Sequence, residues 1–313
     1  MKTSCGVFLV LLLFFASISY CQTVDELYKS GVSKMHAEDY AGAIADYTSI
    51  ITTDPNSSDA WYARGIAKNI LEDYWGAIED YTRAIAINPV NSGFYDERGI
   101  SRTKLADYIG AIRDFNKALE LDSGSAVAYY GRGIVKVHLQ ENRGSIADFT
   151  LAIGLNSSFS DAYYARGNAR NISEDYRGAI SDYTKAIGIN PKFADCYFNR
   201  GVTRVHLEDY NGAIVDYDMT IALNPGSADA YYARGIAKVH LEDYEGQISD
   251  YTRAIEINPN YADAYFARGI AKLLFGQKES ARLDLSKAGE LGNTKAWEAI
   301  KEYCQNESYG SVP

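Results

Sequence analysis

An arginine and a second basic residue stand four apart in a phrase that the chain repeats: WYARGIAK from Trp61, YYARGNAR from Tyr163, YFNRGVTR from Tyr197, YYARGIAK from Tyr231 and YFARGIAK from Tyr265. The arginines are Arg64, Arg98, Arg132, Arg166, Arg200, Arg234 and Arg268. Lysine or arginine follows each at four residues, as at Lys68, Lys136, Arg170 and Lys238. Sixteen residues after each arginine comes an aspartate: Asp80, Asp114, Asp148, Asp182, Asp216, Asp250 and Asp284. Two cations at i and i+4 repel modestly, and a buried charge without a partner costs several kcal/mol, so an intervening carboxylate is the expected neighbour. The spacing predicts a ladder in which each aspartate bridges the two basic residues, within its own copy or across to the next. Such a ladder fixes register between helices more than it adds stability. Catalytic groups rarely recur identically in every copy of an array, so the ladder reads as structural.

The four histidines, His36, His138, His206 and His240, also occupy equivalent places. Equivalent places in adjacent copies lie about 10 Å apart, beyond the reach of a shared zinc ion or a nucleophile and its base. They read as solvent-lined residues, and neither metal nor cofactor is expected. There is no GxSxG, HExxH, Gly-rich phosphate loop or CxxC, so the sequence predicts no enzyme. The recurring Glu-Asp-Tyr (Glu72 to Tyr74 and its copies) reads as solvated charge at a helix start.

The elements that carry these residues repeat with a period of 34 from Val24 to Lys295. Eight repeats result: 24–57, 58–91, 92–125, 126–159, 160–193, 194–227, 228–261 and 262–295. Within each, positions 4, 8 and 11 form one stripe at helical spacing, and positions 20, 24 and 27 form another. That pattern is two short antiparallel helices, marginal alone and stabilised by packing on each other and on the next repeat. Glycine holds position 8 in every repeat and a small residue holds position 20 in most, which is expected to let the two backbones approach. Position 24 is aromatic in all repeats but the last. Pro55, Pro89, Pro191, Pro225 and Pro259 stop the second helices.

Trp61, Gly65, Tyr74, Ala77, Tyr81, Ala84 and Pro89 fall at the places of the tetratricopeptide repeat pattern, which the chain resembles over 272 of its 313 residues. The resemblance implies an all-α fold, a right-handed α-α superhelix or solenoid of eight helix-turn-helix repeats. Residues 296–305 then form a capping helix, with Trp297, Ile300 and Cys304 on its buried face, and 306–313 a disordered tail. The resemblance also implies that positions 2, 5, 9, 12 and 13 line a concave surface where partners bind. Position 5 gives Tyr62, Tyr130, Tyr164, Phe198, Tyr232 and Phe266, interrupted by Asp96, and position 9 is aliphatic except at Asn168. Asn171, His206 and His240 complete the expected groove residues. Such a groove suits an extended peptide or another protein's apolar segment; the alternative is that the rings only pack between repeats. The family's carboxylate-clamp mode is not expected, because positions 5 and 9 are apolar here.

Repeats three and four depart from the pattern, with Ser123 and Ser157 at the proline's place, Asn142 at position 17 and Ser145 at position 20. Gln247 at position 20 is expected to push its helices apart unless its amide finds a partner.

The N-terminus carries one lysine and an apolar run from Val7 to Ala16, too short to cross a bilayer, which predicts a cleaved secretory leader over 1–21 and an exported, periplasmic, secreted or envelope-associated chain. Lipidation at Cys21 would instead tether the protein to a membrane. Cys196 and Cys304 fall about three repeats apart, too far for a disulfide. The sequons at Asn56, Asn156, Asn171 and Asn306 matter only in a host that glycosylates. The net charge is −10, and outside the ladder, with Lys34 and Asp46 of the first repeat counted in it, acids outnumber bases by 33 to 16. That balance opposes nucleic acid and leaves solubility or a basic partner as its explanation. The function expected is a non-enzymatic scaffold for a protein or peptide partner, with self-association or membrane tethering as the alternative.

Overall fold

The computed structural model describes residues 23–304. The expected leader and tail lie outside the described residues, as does the Cys304 side chain. Among the described residues there is no strand. The chain divides at Ser157–Ser158 into two compact blocks.

The N-terminal block holds α1 (23–36), α2 (Tyr40–Thr53), α3 (Ser58–Ile70), α4 (Tyr74–Ile87), α5 (Ser92–Lys104), α6 (Tyr108–Leu121), α7 (Ala126–His138) and α8 (Asn142–Leu155). The C-terminal block holds α9 (Ser160–Ile172), α10 (Tyr176–Ile189), α11 (Ala194–His206), α12 (Tyr210–Leu223), α13 (Ala228–Val239), α14 (Tyr244–Ile257), α15 (Ala262–Leu274), α16 (Lys278–Glu290) and α17 (Lys295–Ala299), the last followed by a π-type segment, Ile300–Cys304. In each block odd and even helices pair within a repeat, and the pairs stack.

Local chemistry sets the ends of the second helices. Asp39, Asp73, Asp107, Asp175, Asp209 and Asp243 are N-caps whose carboxylates accept the backbone N–H of the glycine three residues on. The aspartate of the Glu-Asp-Tyr phrase is therefore a cap, whereas its glutamate sits in the left-handed region, at φ 62° for Glu72 and 60° for Glu208. At the other end, α6 and α8 stop at the same place as their homologues although serine replaces proline. The stop comes from the residue before: Asp54, Asn88, Asp122, Asn190, Asn224 and Asn258 leave helical geometry and accept the N–H two residues on.

The core is a file of position-24 side chains, Tyr47, Tyr81, Phe115 and Phe149 in one block and Tyr183, Tyr217, Tyr251 and Leu285 in the other, each at most 2% exposed. Here the expected role of glycine needs correction. A Cβ on Gly65 would sit 2.5 Å from the Tyr81 ring, and one on Gly201 2.8 Å from the Tyr217 ring. Position 8 is glycine to admit the facing ring, not to bring two backbones together. Each buried ring contributes roughly 1.5–3 kcal/mol relative to exposure.

Gln247 is buried between α13 and α14, and its amide donates to the Lys238 carbonyl at 3.4 Å. Ser145 is likewise buried and donates to the Asn142 carbonyl. Cys196 is buried, and its thiol donates to the Tyr183 carbonyl. The face that α17 and the following turn bury is Ala296, Ala299 and Ile300; Trp297, expected inside, is 52% exposed. It lies against Gly289, one residue off the i, i+3, i+4 stripe of Ala296, Ala299 and Ile300 that the helix buries.

Candidate functional site

The charged residues on the apolar stripe resolve into one unit per repeat. Asp80 accepts from Arg64 Nε and Nη2, both at 2.8 Å, and from Lys68 Nζ at 2.9 Å. The same arrangement joins Arg98 to Asp114, Arg132 and Lys136 to Asp148, Arg166 and Arg170 to Asp182, Arg200 and Arg204 to Asp216, Arg234 and Lys238 to Asp250, and Arg268 and Lys272 to Asp284. Every bridge to a position-23 aspartate stays within its repeat. In the first repeat Ser30 takes the arginine's place. Burial there works against the Asp46 charge, but bonds from Lys34 and Ser30 outweigh it and hold its pKa below the ordinary value.

Two further contacts of the guanidinium are not evident from the stripe alone. Each lies over the position-4 ring of its own helix, Arg64 over Trp61 at 4.7 Å and Arg200 over Tyr197 at 5.6 Å. The i, i+3 spacing of aromatic and arginine is the signal that would have found it. Within each block the arginines also reach back to position 25 of the preceding repeat: Arg64 to Thr48, Arg98 to Thr82, Arg132 to Asn116, Arg200 to Thr184, Arg234 to Asp218 and Arg268 to Thr252.

The opposite face of the first helices carries the expected groove residues. Tyr62, Tyr130, Tyr164, Phe198 and Tyr232 are half-buried, each 5.7–6.1 Å from the position-24 ring beneath it. Tyr62, Tyr164 and Tyr232 also meet the rings of Phe94, Phe193 and Tyr261. Phe266 packs partly against the cluster of Leu285, Ala288 and Ile300. The rings thus pack mainly inside their own repeat, against the position-24 ring and, for Tyr164 and Tyr232, against its last residue, while Tyr62 reaches Phe94 of the next repeat. Asn168 accepts from the Tyr183 hydroxyl at 2.8 Å and from Asn199 Nδ2 at 3.0 Å, and Asn171 accepts from Thr203 at 2.8 Å. Asn199 and Thr203 were not singled out in the sequence.

Between α11 and α13 this face opens into a cleft of about 320 Å³, lined by Phe198, Val202, Val205, His206, Tyr217, Asp229, Tyr232, Ala233, Ile236 and Tyr261. Its floor is apolar; Asp229 at its rim accepts the Tyr261 hydroxyl at 2.9 Å. The histidines are not isolated on the groove. His138, His206 and His240 stack flat on Tyr108, Tyr176 and Tyr210 of the preceding repeat, at 5.0, 4.8 and 4.0 Å. The recurrence of tyrosine thirty residues before each histidine is the trace this leaves in the sequence.

Asp96, which interrupts the aromatic row, is 8% exposed. One carboxylate oxygen accepts from Ser125 at 3.1 Å, and the other has no partner. Burial, with the Asp122 charge added, pushes its pKa up to about 6 against the Ser125 bond. Burial and Asp96 push Glu97 upward as well.

Among the described residues no three His, Cys, Asp or Glu side chains gather as a metal site, and no helix is long and apolar enough to cross a membrane. What the arrangement offers within each block is surface: paired helices held in register, whose first helices carry rings and aliphatic residues on the face opposite the ladder. That defines a helical repeat protein built for protein contacts. Models described as tetratricopeptide repeat match residues 27–57, 58–91, 160–193, 228–261 and 250–282. The chain is a tetratricopeptide repeat protein. No curated protein matches it in sequence. Among solved structures it is similar to YrrB, a TPR protein with an unusual peptide-binding site, at 25% identity and a TM-score of 0.54 over 60% of this chain and 97% of that one. It is similar in fold to MamA (24% identity, TM-score 0.51, 55% of this chain and 94% of that one) and to pilF of Pseudomonas aeruginosa (14%, 0.58, 67% and 96%).

Proposed function

We propose that this scaffold binds an extended segment of a partner protein on the face formed by its first helices, that it does so without catalysing a reaction, and that it works outside the cytoplasm after removal of the 1–21 leader. The observation that carries the reading is the cleft between α11 and α13, where Phe198 and Tyr232 flank an aliphatic floor of Val202, Val205 and Ile236. Rings with one edge exposed over a preformed apolar floor are anchors for side chains of an extended peptide, because little conformational freedom is lost on binding. Asn168 and Asn171 stand outside the cleft on α9, with their amide oxygens accepting from Tyr183, Asn199 and Thr203. The likeness to YrrB, itself a TPR protein with a peptide-binding site, supports the same use of the fold.

The test is affinity capture from a secreted or envelope fraction by wild type and by Phe198→Ala with Ile236→Ala, both checked for unchanged helicity. Loss of a specific partner in the variant is the expected result. A full complement of partners on the variant moves binding off this face. Secretion of the chain with a new N-terminus near Gln22, read by mass spectrometry, tests export, and retention of residues 1–21 on a cytoplasmic chain refutes it.

A further inference from the structure

We infer that the segment taken by the C-terminal block is basic, setting lysine or arginine side chains among apolar ones; this rests on the groove reading above. Of the twenty residues at positions 2, 5, 9, 12 and 13 of repeats five to eight, four are acidic, Asp161, Asp195, Asp229 and Asp263, and none is lysine or arginine. The cations of the first helices are spent on the opposite stripe, where each ladder arginine already holds its own aspartate. None of those four aspartates forms an ion pair within 4.0 Å among the described residues.

Their placement is specific. After burial, the charges of Asp195 and Asp263 raise the pKa values of the Tyr164 and Tyr232 hydroxyls, so each acid stands beside the anchoring ring of the preceding repeat. Asp229 lines the cleft itself and gives one oxygen to Tyr261; its other oxygen takes no hydrogen bond from a described residue. A carboxylate with no ion-pair partner recognises an ammonium or guanidinium group, and the floor of Val202, Val205 and Ile236 takes the aliphatic stem.

The N-terminal block carries the same sign on its own first-helix face, and there the evidence is a buried group in want of a partner. Asp96 is more than nine-tenths buried, its Oδ1 is unpartnered among the described residues, Glu97 is beside it, and neither carboxylate meets a cation among the described residues. A buried carboxylate is costly until a positive charge is brought to it. A partner of that sign would relieve it; an acidic or phosphorylated segment would aggravate it.

The experiment uses the full exported chain and three labelled peptides of equal length that share their apolar residues and differ only in carrying lysine, glutamine or glutamate between them. Fluorescence anisotropy should find the lysine peptide bound about ten-fold more tightly than the glutamine one, about 1.4 kcal/mol, and the glutamate peptide weakest. Raising the salt to about 0.3 M should shrink the gap. Asp229→Asn with Asp263→Asn keeps shape and the one acceptor oxygen that Tyr261 and Asn293 use, and should lower lysine-peptide affinity about ten-fold while leaving the glutamine peptide unchanged. Equal affinities for lysine and glutamine peptides, both weakened by Phe198→Ala, overturn the basic preference and leave the groove reading standing. Lysine-peptide binding that survives Phe198→Ala with Ile236→Ala places the ligand elsewhere and overturns both. Failure of all three peptides to bind also overturns the preference.

Discussion

Asp216→Asn tests the ladder at its most enclosed rung. The Asp216 side chain is fully buried and holds two cations: Arg200 Nη2 at 2.6 Å and Arg204 Nη1 at 2.9 Å. The substitution preserves size and removes the charge. Arg200 then loses its buried carboxylate and Arg204 keeps only the exposed Asp209, 3.6 Å from its Nε, while the two arginine side chains are only 12% and 22% exposed. Breaking a buried pair by removing one partner costs about 3–5 kcal/mol, and the partial exposure of both arginines places this case near the lower end, about 3 kcal/mol. At about 1.36 kcal/mol per factor of ten, that is on the order of 100-fold in a local opening equilibrium. A repeat array opens locally as well as globally, so the assay is amide hydrogen exchange resolved to α11 and α12 rather than a single melting curve. Protection in those helices should fall about 100-fold while α15 changes little. Asp218→Asn is the control: Asp218 is 52% exposed, and its bond to Arg234 is a surface pair worth under about 1 kcal/mol. Exchange in α11 and α12 within a few-fold of wild type would show that Asp216 does not hold the arginines in solution.

Glu208→Gly should raise stability by about 0.5–1 kcal/mol, because glycine occupies the left-handed region without the Cβ penalty that Glu208 bears at φ 60°; the eighth repeat already has Gly276 there at 85°. A lower thermal midpoint would contradict it. Glu141→Asp should extend to α8 the cap that it alone lacks among the second helices of repeats one to seven, gaining about 0.5–1 kcal/mol in urea unfolding, with no gain as the refuting result. Asp96 titrates near 6 when folded against 3.8 ordinarily, so the folded state binds the proton more tightly. Its penalty is fully present above pH 6 and fades as pH falls towards 4. Asp96→Asn should therefore stabilise by about 1–2 kcal/mol near pH 7.5, allowing for solvent screening, and by almost nothing near pH 4. Equal gains at both pH values would remove the charge as the cause.

The helix pairs were legible because positions 4, 8, 11, 20, 24 and 27 repeat without insertion, and the Asp80 type of bridge because charges on an apolar stripe require a partner. The reach of Arg64 to Thr48 was not, since position 25 faces solvent in an isolated pair and comes within range only when a second pair is stacked on it. The role of Gly65 was misjudged for a related reason. A small residue is compatible with either a near backbone or a near ring, and only the rotamer of Tyr81 decides between them. His206 on Tyr176 lies thirty residues apart, beyond any single-helix spacing. The cleft itself owes its shape to Tyr261 closing over Tyr232, a contact between the last residue of one repeat and the fifth position of its own first helix.

The backward bond of these six arginines has a genealogical consequence. Thr48, Thr82, Asn116, Thr184 and Thr252 are short polar side chains that accept a guanidinium N–H equally well, so neighbours are interchangeable at the joint. Copying or losing one 34-residue block would leave every remaining arginine with an acceptor behind it. Asp218 alone adds a full charge to its joint with Arg234, and makes that junction the one place where a swap would alter the electrostatics. Such a chain can lengthen or shorten by whole words without rewriting its grammar.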